Sequence, residues 1–439
     1  MTSLAIPRVP DSRNPDLLQS ARGPALEREV AKYTRDELRA LLRDDPWRAN
    51  HVVNLREFLS GESVLTTYPW DVSIPIADIC NARCPFCTSW FQGTRCLLLD
   101  EVDALAPVLR HAARLALAGH GEPLVHPQFD ALADRLTALL DPRCVTYLIT
   151  NGLLLGRRLD VLLRFTRGFT VSLNAVTPTT HQEVMHLGPD ALPGILEAVR
   201  HLIHRRDTIA PGIDVSLSFV VIQQNVHELA RFIELGNELG VNRLFVRTLA
   251  PQGGLGTGLN YHALPPYLHR DFKALVSRAA DAVRSSSVRV VGDLASLAAP
   301  VFPAGVERQI RENPPPVVPV SEILRSGRGR SGADGQGVNG RGRLLATPAL
   351  DAESDHENVY DRSARYACRA PYHFLYLNDF EFRMSPCCYM THVPGFEATH
   401  YDGGFDFFQV WNSPAMVELR RRLTRGPLLG PCLRCPPIY

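Results

Sequence analysis

The residues best placed to do chemistry are three cysteines, Cys80, Cys84 and Cys87, in the stretch CNARCPFC. They directly follow the apolar run DVSIPIADI. In a reducing compartment, clustered thiols bind metal more often than they form disulfides. A 4Fe–4S cluster takes one thiolate per iron, so three cysteines leave one iron open to another ligand. An open position of this kind is what a catalytic metal site needs. A zinc site or three buried thiols are the alternative readings of the triplet.

The triplet must be presented by a scaffold, and the pattern around it suggests which. From about 70 to 295, the apolar runs DVSIPIADI, RLALAGHGEP, VTYLITNG, FTVSLNA, IDVSLSFVVI and NRLFVRTLA alternate with stretches of helical spacing. Nearly uninterrupted apolar strands separated by helices predict a parallel sheet covered by helices. The repeats fall short of a closed eight-fold barrel. The expected fold is therefore α/β: a partial (β/α)6 TIM-like barrel over 69–300. Ligands of such sheets sit at the C-terminal strand ends. Cys80, Gly121–Pro123, Thr150–Gly152 and Asn174 all fall there.

Residues 1–68 read as an N-terminal helical cap, with the helix of NLREFLSG stopped by Gly61. Residues 301–358 read as a Pro-rich and Gly/Arg-rich linker, partly disordered. RNA binding is the alternative reading of its Arg-Gly run. Residues 359–439 read as a small C-terminal α+β iron–sulfur module.

Composition excludes some classes of partner. The chain has 439 residues, 45% hydrophobic and 21% charged, with a net charge of +1. No global field draws it to nucleic acid or an anionic membrane. The N-terminus lacks a signal-peptide pattern, and no apolar run approaches the roughly 18 residues of a membrane span. The expected location is cytoplasmic.

CNARCPFC followed by AGHGEP resembles the radical S-adenosylmethionine (SAM) enzymes over residues 70–295. The resemblance implies a SAM-binding 4Fe–4S cluster held by Cys80, Cys84 and Cys87. SAM would chelate the open iron and be cleaved to methionine and a 5′-deoxyadenosyl radical, which abstracts a substrate hydrogen. Phe86 matches the aromatic position near the adenine. Gly119, Gly121, Glu122 and Pro123 match the strand end that contacts the SAM amine, with His120 in place of a glycine. A Glu and exposed carbonyls suit an ammonium, and glycine lets the backbone come close. Ser172 and Asn174 share a face by the period of two and are candidates for the ribose or the methionine carboxylate. Ser216, Ser218 and Gln223 on the fifth strand, Arg247 ending the sixth and Asn151 in TNG complete the candidate cofactor-binding set.

The second cysteine group is Cys368, Cys387, Cys388, Cys432 and Cys435. A terminal C-x-x-C with two upstream cysteines makes a four-ligand set, for zinc or for an iron–sulfur cluster. The hairpin ending in PCC, then WNSP and the last C-x-x-C, resembles the SPASM or Twitch extension of radical SAM enzymes. That resemblance implies one auxiliary 4Fe–4S cluster on Cys368, Cys387, Cys432 and Cys435. Adjacent strand residues face opposite ways, so Cys387 is preferred over Cys388.

Cys96 is a candidate hydrogen-atom donor, with a buried inert thiol as its alternative. Cys144 reads as core, and His120 and His126 as structural or solvated. Trp90 and Phe91 could shield the cluster loop. The resulting expectation is oxidation, elimination or epimerisation of a small polar natural-product intermediate (a sugar, aminocyclitol or nucleoside). A flavodoxin or ferredoxin-type donor would supply the electron. The alternatives are a maturase acting on a precursor peptide and a non-catalytic iron–sulfur or zinc scaffold.

Overall fold

The structure, a computed structural model, describes residues 30–87, 95–119, 121–248, 266–292, 294, 297, 368–377, 384–387, 407–425 and 432. Two helices come first, α1 (Arg35–Asp44) and α2 (Pro46–Ser60). Thr34 and Glu37 form a capping box on α1, each side chain bonding the other's backbone N–H. Asp45 caps α2, Pro46 opens it, and Gly61 in the left-handed region ends it. Among the described residues no helix is long and apolar enough to cross a membrane.

The strands are β1 (Asp71–Ile74), β2 (Arg114–Leu117), β3 (Val145–Thr150), β4 (Gly168–Ser172), β5 (Asp214–Val221), β6 (Arg243–Thr248), β7 (Arg289–Val291), β8 (Phe374–Leu377) and β9 (Met384–Ser385). They form one sheet in the order β7-β6-β5-β4-β3-β2-β1-β8-β9. Every neighbouring pair is parallel except β8–β9. Six consecutive βα strands are thus the expected partial barrel. The structure adds β7 at one edge and extends the other with β8 and β9 of the C-terminal module. Three-residue β7 carries too short a pattern to stand out in VRSSSVRVV. The pairing of β8 with β1 joins Phe374 to Asp71 and Tyr376 to Ser73, across a sequence separation that local periodicity does not encode. The linker over 301–358 lies outside the described residues.

Register divides the strands into two faces. Val72, Ile74, Leu115, Leu148, Leu217 and Leu244 point toward the helices and are buried. The opposite, inner face carries Asp71, Ser73, Arg114, Tyr147, Ser172, Ser218 and Arg247. At its base Arg114 pairs with Asp71 at 2.7 Å and Arg243 with Asp214 at 2.8 Å. All four are the first residues of their strands. The Tyr147 ring lies under the Arg114 guanidinium at 5.7 Å. Gly168 makes room for it, since a Cβ there would stand 2.2 Å from that ring.

The C-terminal module is stitched to this barrel through buried polar groups. The fully buried Arg420 lies on α3 (Pro414–Arg425). It donates to the carbonyls of Pro371, Trp411 and Ser63 and to Asn412 Oδ1, and stacks over Trp411. Asn412 exchanges two bonds with the Leu65 backbone. Asn54 of α2 donates to the Tyr372 carbonyl, and Trp70 N–H to that of His373.

Two buried histidines, His373 in this seam and His51 on α2, are held neutral. His373 stacks on Trp70 at 4.4 Å, and His51 packs edge-on to Trp47 at 4.0 Å. Burial pushes His373 down to about 3 and His51 down to about 4. The unfolded chain takes up protons at these rings from roughly pH 6.5, the folded chain only far below it. Their stabilisation is therefore present above pH 6.5 and is lost as pH falls. Urea midpoints should drop between pH 6.5 and 4, each ring contributing up to about 1.4 kcal/mol per pH unit. His373→Asn should remove its share of that slope; an unchanged slope would contradict this.

Candidate active site at the strand ends

The cysteine loop leaves the C-terminal end of β1 and is fastened from three sides. A strap over residues 95–97 pairs with 76–78: Leu97 N–H bonds the Ile76 carbonyl and Asp78 N–H that of Arg95, both at 3.0 Å. The loop after β2 locks onto it from the second side. Glu122 N–H donates to the Ile79 carbonyl at 2.9 Å. Gly121, with φ +78°, lies so close that a Cβ would stand 1.9 Å from the Ala77 carbonyl oxygen. The third side is the helix Pro178–Met185. Arg83 N–H bonds the Met185 carbonyl at 3.0 Å, and the Cys84 thiol reaches Met185 Sδ at 3.3 Å.

Cys80, Cys84 and Cys87 are all half-buried. Ala82 N–H donates to Cys80 Sγ at 3.4 Å, and Asn151 Nδ2 stands 3.9 Å from it. Burial, helped by the neighbouring Glu122 and Cys87 charges, pushes the Cys80 thiol up to about 11. Burial and then the other two thiols raise Cys84 well above its ordinary value. The bare protein therefore favours thiols here, and stable thiolates need a cationic partner. Among the described residues, no three His, Cys, Asp or Glu side chains converge on a point suited to one metal ion. Three thiolates on one short loop would suit a 4Fe–4S cluster with one iron left for another ligand.

Glu122 departs from its expected role as an open acceptor for an ammonium. It is 2% exposed, and its carboxylate accepts from Leu124 N–H at 3.0 Å, Thr150 Oγ1 at 2.7 Å and Asn151 N–H at 2.7 Å. Burial raises its pKa while these bonds oppose the rise. Asn151, fixed in this way, donates to Asn81 Oδ1 at 2.6 Å. Glu122 and Asn151 thus brace the cysteine loop.

Asn174 also departs from the period-two reading. β4 ends at Ser172, and Asn174 has φ 56°. Its Oδ1 accepts from Val220 N–H, its Nδ2 reaches Met185 Sδ, and its carbonyl accepts from Asn225. Ser172 does lie on the inner face, 3.3 Å from Ser218 by their Oγ atoms. Ser216 is low on the barrel and bonds Asp214, away from the strand ends. Arg247, exposed at the top of β6, lies over Phe245. Gln223 is half-buried just past β5, and Phe86 packs against Val184 and Ile222. Gly119 is exposed at the end of β2 with φ 143°, and Pro123 is buried behind it.

Cys96 pairs through its backbone with Ala77 in the strap, so no barrel strand aims its thiol. Cys144 precedes β3 at the base, and burial raises its pKa. His126 bonds the Leu97 carbonyl and Gln128 N–H, a structural role. In the C-terminal module, Cys387 and Cys432 pack against the main core, and burial raises the Cys368 thiol. Cys388, Cys435, Trp90, Phe91 and His120 lie outside the described residues. Met185, Asn81 and Asn225 had no local signal in the sequence, because their importance comes from partners distant along the chain.

Residues 74–236 match the family model described as the Radical SAM superfamily. These residues are a radical SAM domain. The probable GTP 3′,8-cyclase of Saccharolobus islandicus (strain Y.N.15.51 / Yellowstone #2) is 30% identical over 188 residues, 42% of this chain and 58% of that protein. The PqqA peptide cyclase of Gluconobacter oxydans (strain 621H) is 28% identical over 228 residues, 50% of this chain and 60% of that protein. The chain therefore spans less than two thirds of these curated relatives. Streptococcus suis SuiB, solved bound to its precursor peptide SuiA, shares the fold with a TM-score of 0.51 at 13% identity, over 90% of this chain and 79% of SuiB. A radical SAM domain implies a 4Fe–4S cluster and SAM, and the donor set of the loop fits them.

Gly121→Ala should push the loop after β2 off the cysteine loop. Iron retained by the radical SAM site after anaerobic reconstitution should fall by more than half, with helical circular dichroism preserved. Full iron retention would show that the close approach at Ala77 does not set the loop.

Proposed function

We propose that the chain is a radical SAM enzyme in which Cys80, Cys84 and Cys87 hold a 4Fe–4S cluster and SAM completes it. The observation that carries this reading is the half-buried three-thiol loop, one donor short of four, braced at the C-terminal ends of β1, β2 and β3. When bound, the cluster and SAM supply reductive SAM cleavage and abstraction of a substrate hydrogen. The chain's own residues orient and shelter that chemistry. Phe86, against Val184 and Ile222, offers an apolar wall for the adenine. The backbone at Gly119 and at Gly121–Pro123 would face the methionine end. Ser172, Ser218 and Arg247 offer polar contacts on the inner face for the ribose, the carboxylate or the substrate.

Cys368, Cys387, Cys432 and Cys435 are proposed to hold one auxiliary 4Fe–4S cluster that relays an electron. The antiparallel pairing of β8 with β9 supports the set. It carries Cys387 back toward the start of β8, the end from which Cys368 leads in. Four protein thiolates would leave no open iron there. A flavodoxin or ferredoxin-type partner would deliver the first electron.

The hydroxyl-rich inner face favours a small polar substrate such as a sugar, aminocyclitol or nucleoside, undergoing oxidation, elimination or epimerisation. Cys96 is the candidate hydrogen donor for the last of these. A second reading, a peptide-modifying maturase, is favoured by the fold shared with SuiB across 90% of the chain.

The test is anaerobic reconstitution followed by dithionite and SAM. The wild type should hold about eight irons and form 5′-deoxyadenosine. Cys84→Ala should form none, and Cys432→Ala should drop to about four irons. Deuterium transfer into 5′-deoxyadenosine from labelled sugars or from labelled peptides assigns the substrate class. Iron without SAM cleavage, or zinc alone, would leave the scaffold reading standing.

A further inference from the structure

The C-terminal strand β8 contributes more than an edge to the sheet. Its register with β1 places Tyr376 opposite Ser73, on the polar inner face. Tyr376 is half-buried, and its ring leans up the barrel toward the end of β2. A Cβ built on Gly119 would stand 3.4 Å from the Tyr376 hydroxyl oxygen and 3.1 Å from Pro75 Cβ. Gly119, Pro75 and Tyr376 thus bound a small cradle that any side chain at 119 would fill. Gly119 has φ 143°, a conformation open to glycine and strained for other residues.

The chemistry of the strand end calls for an acceptor at this place. An amine seated against Gly119–Pro123 presents N–H groups that need oxygen partners. The acidic side chain of that loop, Glu122, is turned inward and engaged by Leu124, Thr150 and Asn151. A phenolic oxygen beside Gly119 supplies what that carboxylate does not.

We propose that Tyr376 is part of the SAM site, its hydroxyl oxygen accepting a hydrogen bond from the methionine amine of bound SAM. The inference rests on the radical SAM reading above. It makes the C-terminal module a contributor to cofactor binding, independent of any cluster the module holds.

The test is equilibrium dialysis on anaerobically reconstituted wild type and Tyr376→Phe at matched iron content. Two labelled probes are used: SAM, and 5′-methylthioadenosine, which lacks the amine and carboxylate. The variant keeps the ring and removes only the oxygen. It should bind SAM about tenfold more weakly, the worth of one hydrogen bond, with methylthioadenosine affinity unchanged. SAM affinity within twofold of wild type would overturn the proposal. An equal loss for both probes would also overturn it, because it would mark a role in packing alone. Failure of the wild type itself to bind SAM would instead overturn the radical SAM reading, and this inference with it.

Discussion

The buried carboxylate of Glu122 is the interaction on which the site depends. It gathers the backbone of its own loop, the Thr150 hydroxyl and the Asn151 N–H. Each of those donors, left unmet in the interior, would cost about 1–3 kcal/mol. The carboxylate therefore holds the ends of β2 and β3 in one arrangement. From there the order passes to the cysteine loop by two routes: Glu122 N–H to Ile79, and Asn151 through Asn81. An acidic residue that by its type could face a ligand acts here as the brace for the loop that does.

The barrel accommodates this because its two faces differ. The helix-facing side is closed by apolar packing. The inner side is lined with hydroxyls and with arginines, and it carries the Asp71–Arg114 and Asp214–Arg243 pairs at its base. The C-terminal module closes the free edge of β1 through β8. Its attachment is polar and specific: Arg420 meets four oxygen acceptors from the N-terminal region and the module together. Such a buried cation is tolerated because its donors are met. Losing it would strand those acceptors.

Much of this was legible in the sequence. Three cysteines with short spacing, a glycine-bearing strand end and alternating apolar and helical runs are local patterns, and they located the barrel and the loop. What stayed hidden was set by distance. The pairing of Tyr376 with Ser73 joins segments about three hundred residues apart, and no periodicity announces it. Asn174 looked like an alternating strand residue because SLN continues the pattern of β4, but the chain turns left-handed there so that its amide can hold Val220. Ser216 was correctly placed on a strand, yet its height on the barrel depends on register, which put it beside Asp214. Glu122 could be recognised as important by its neighbours, while the direction of its side chain depended on where Thr150 and Asn151 arrived.

The central claim is that the cysteine loop binds an open cluster and that SAM is its missing ligand. Electron paramagnetic resonance of the reduced, reconstituted Cys432→Ala protein, recorded before and after saturating SAM, tests it most directly, because the auxiliary signal is removed. The account predicts a reduced 4Fe–4S signal whose g-values shift on adding SAM, and no such signal when Cys80 is also replaced by alanine. A cluster spectrum that SAM leaves unchanged would contradict it.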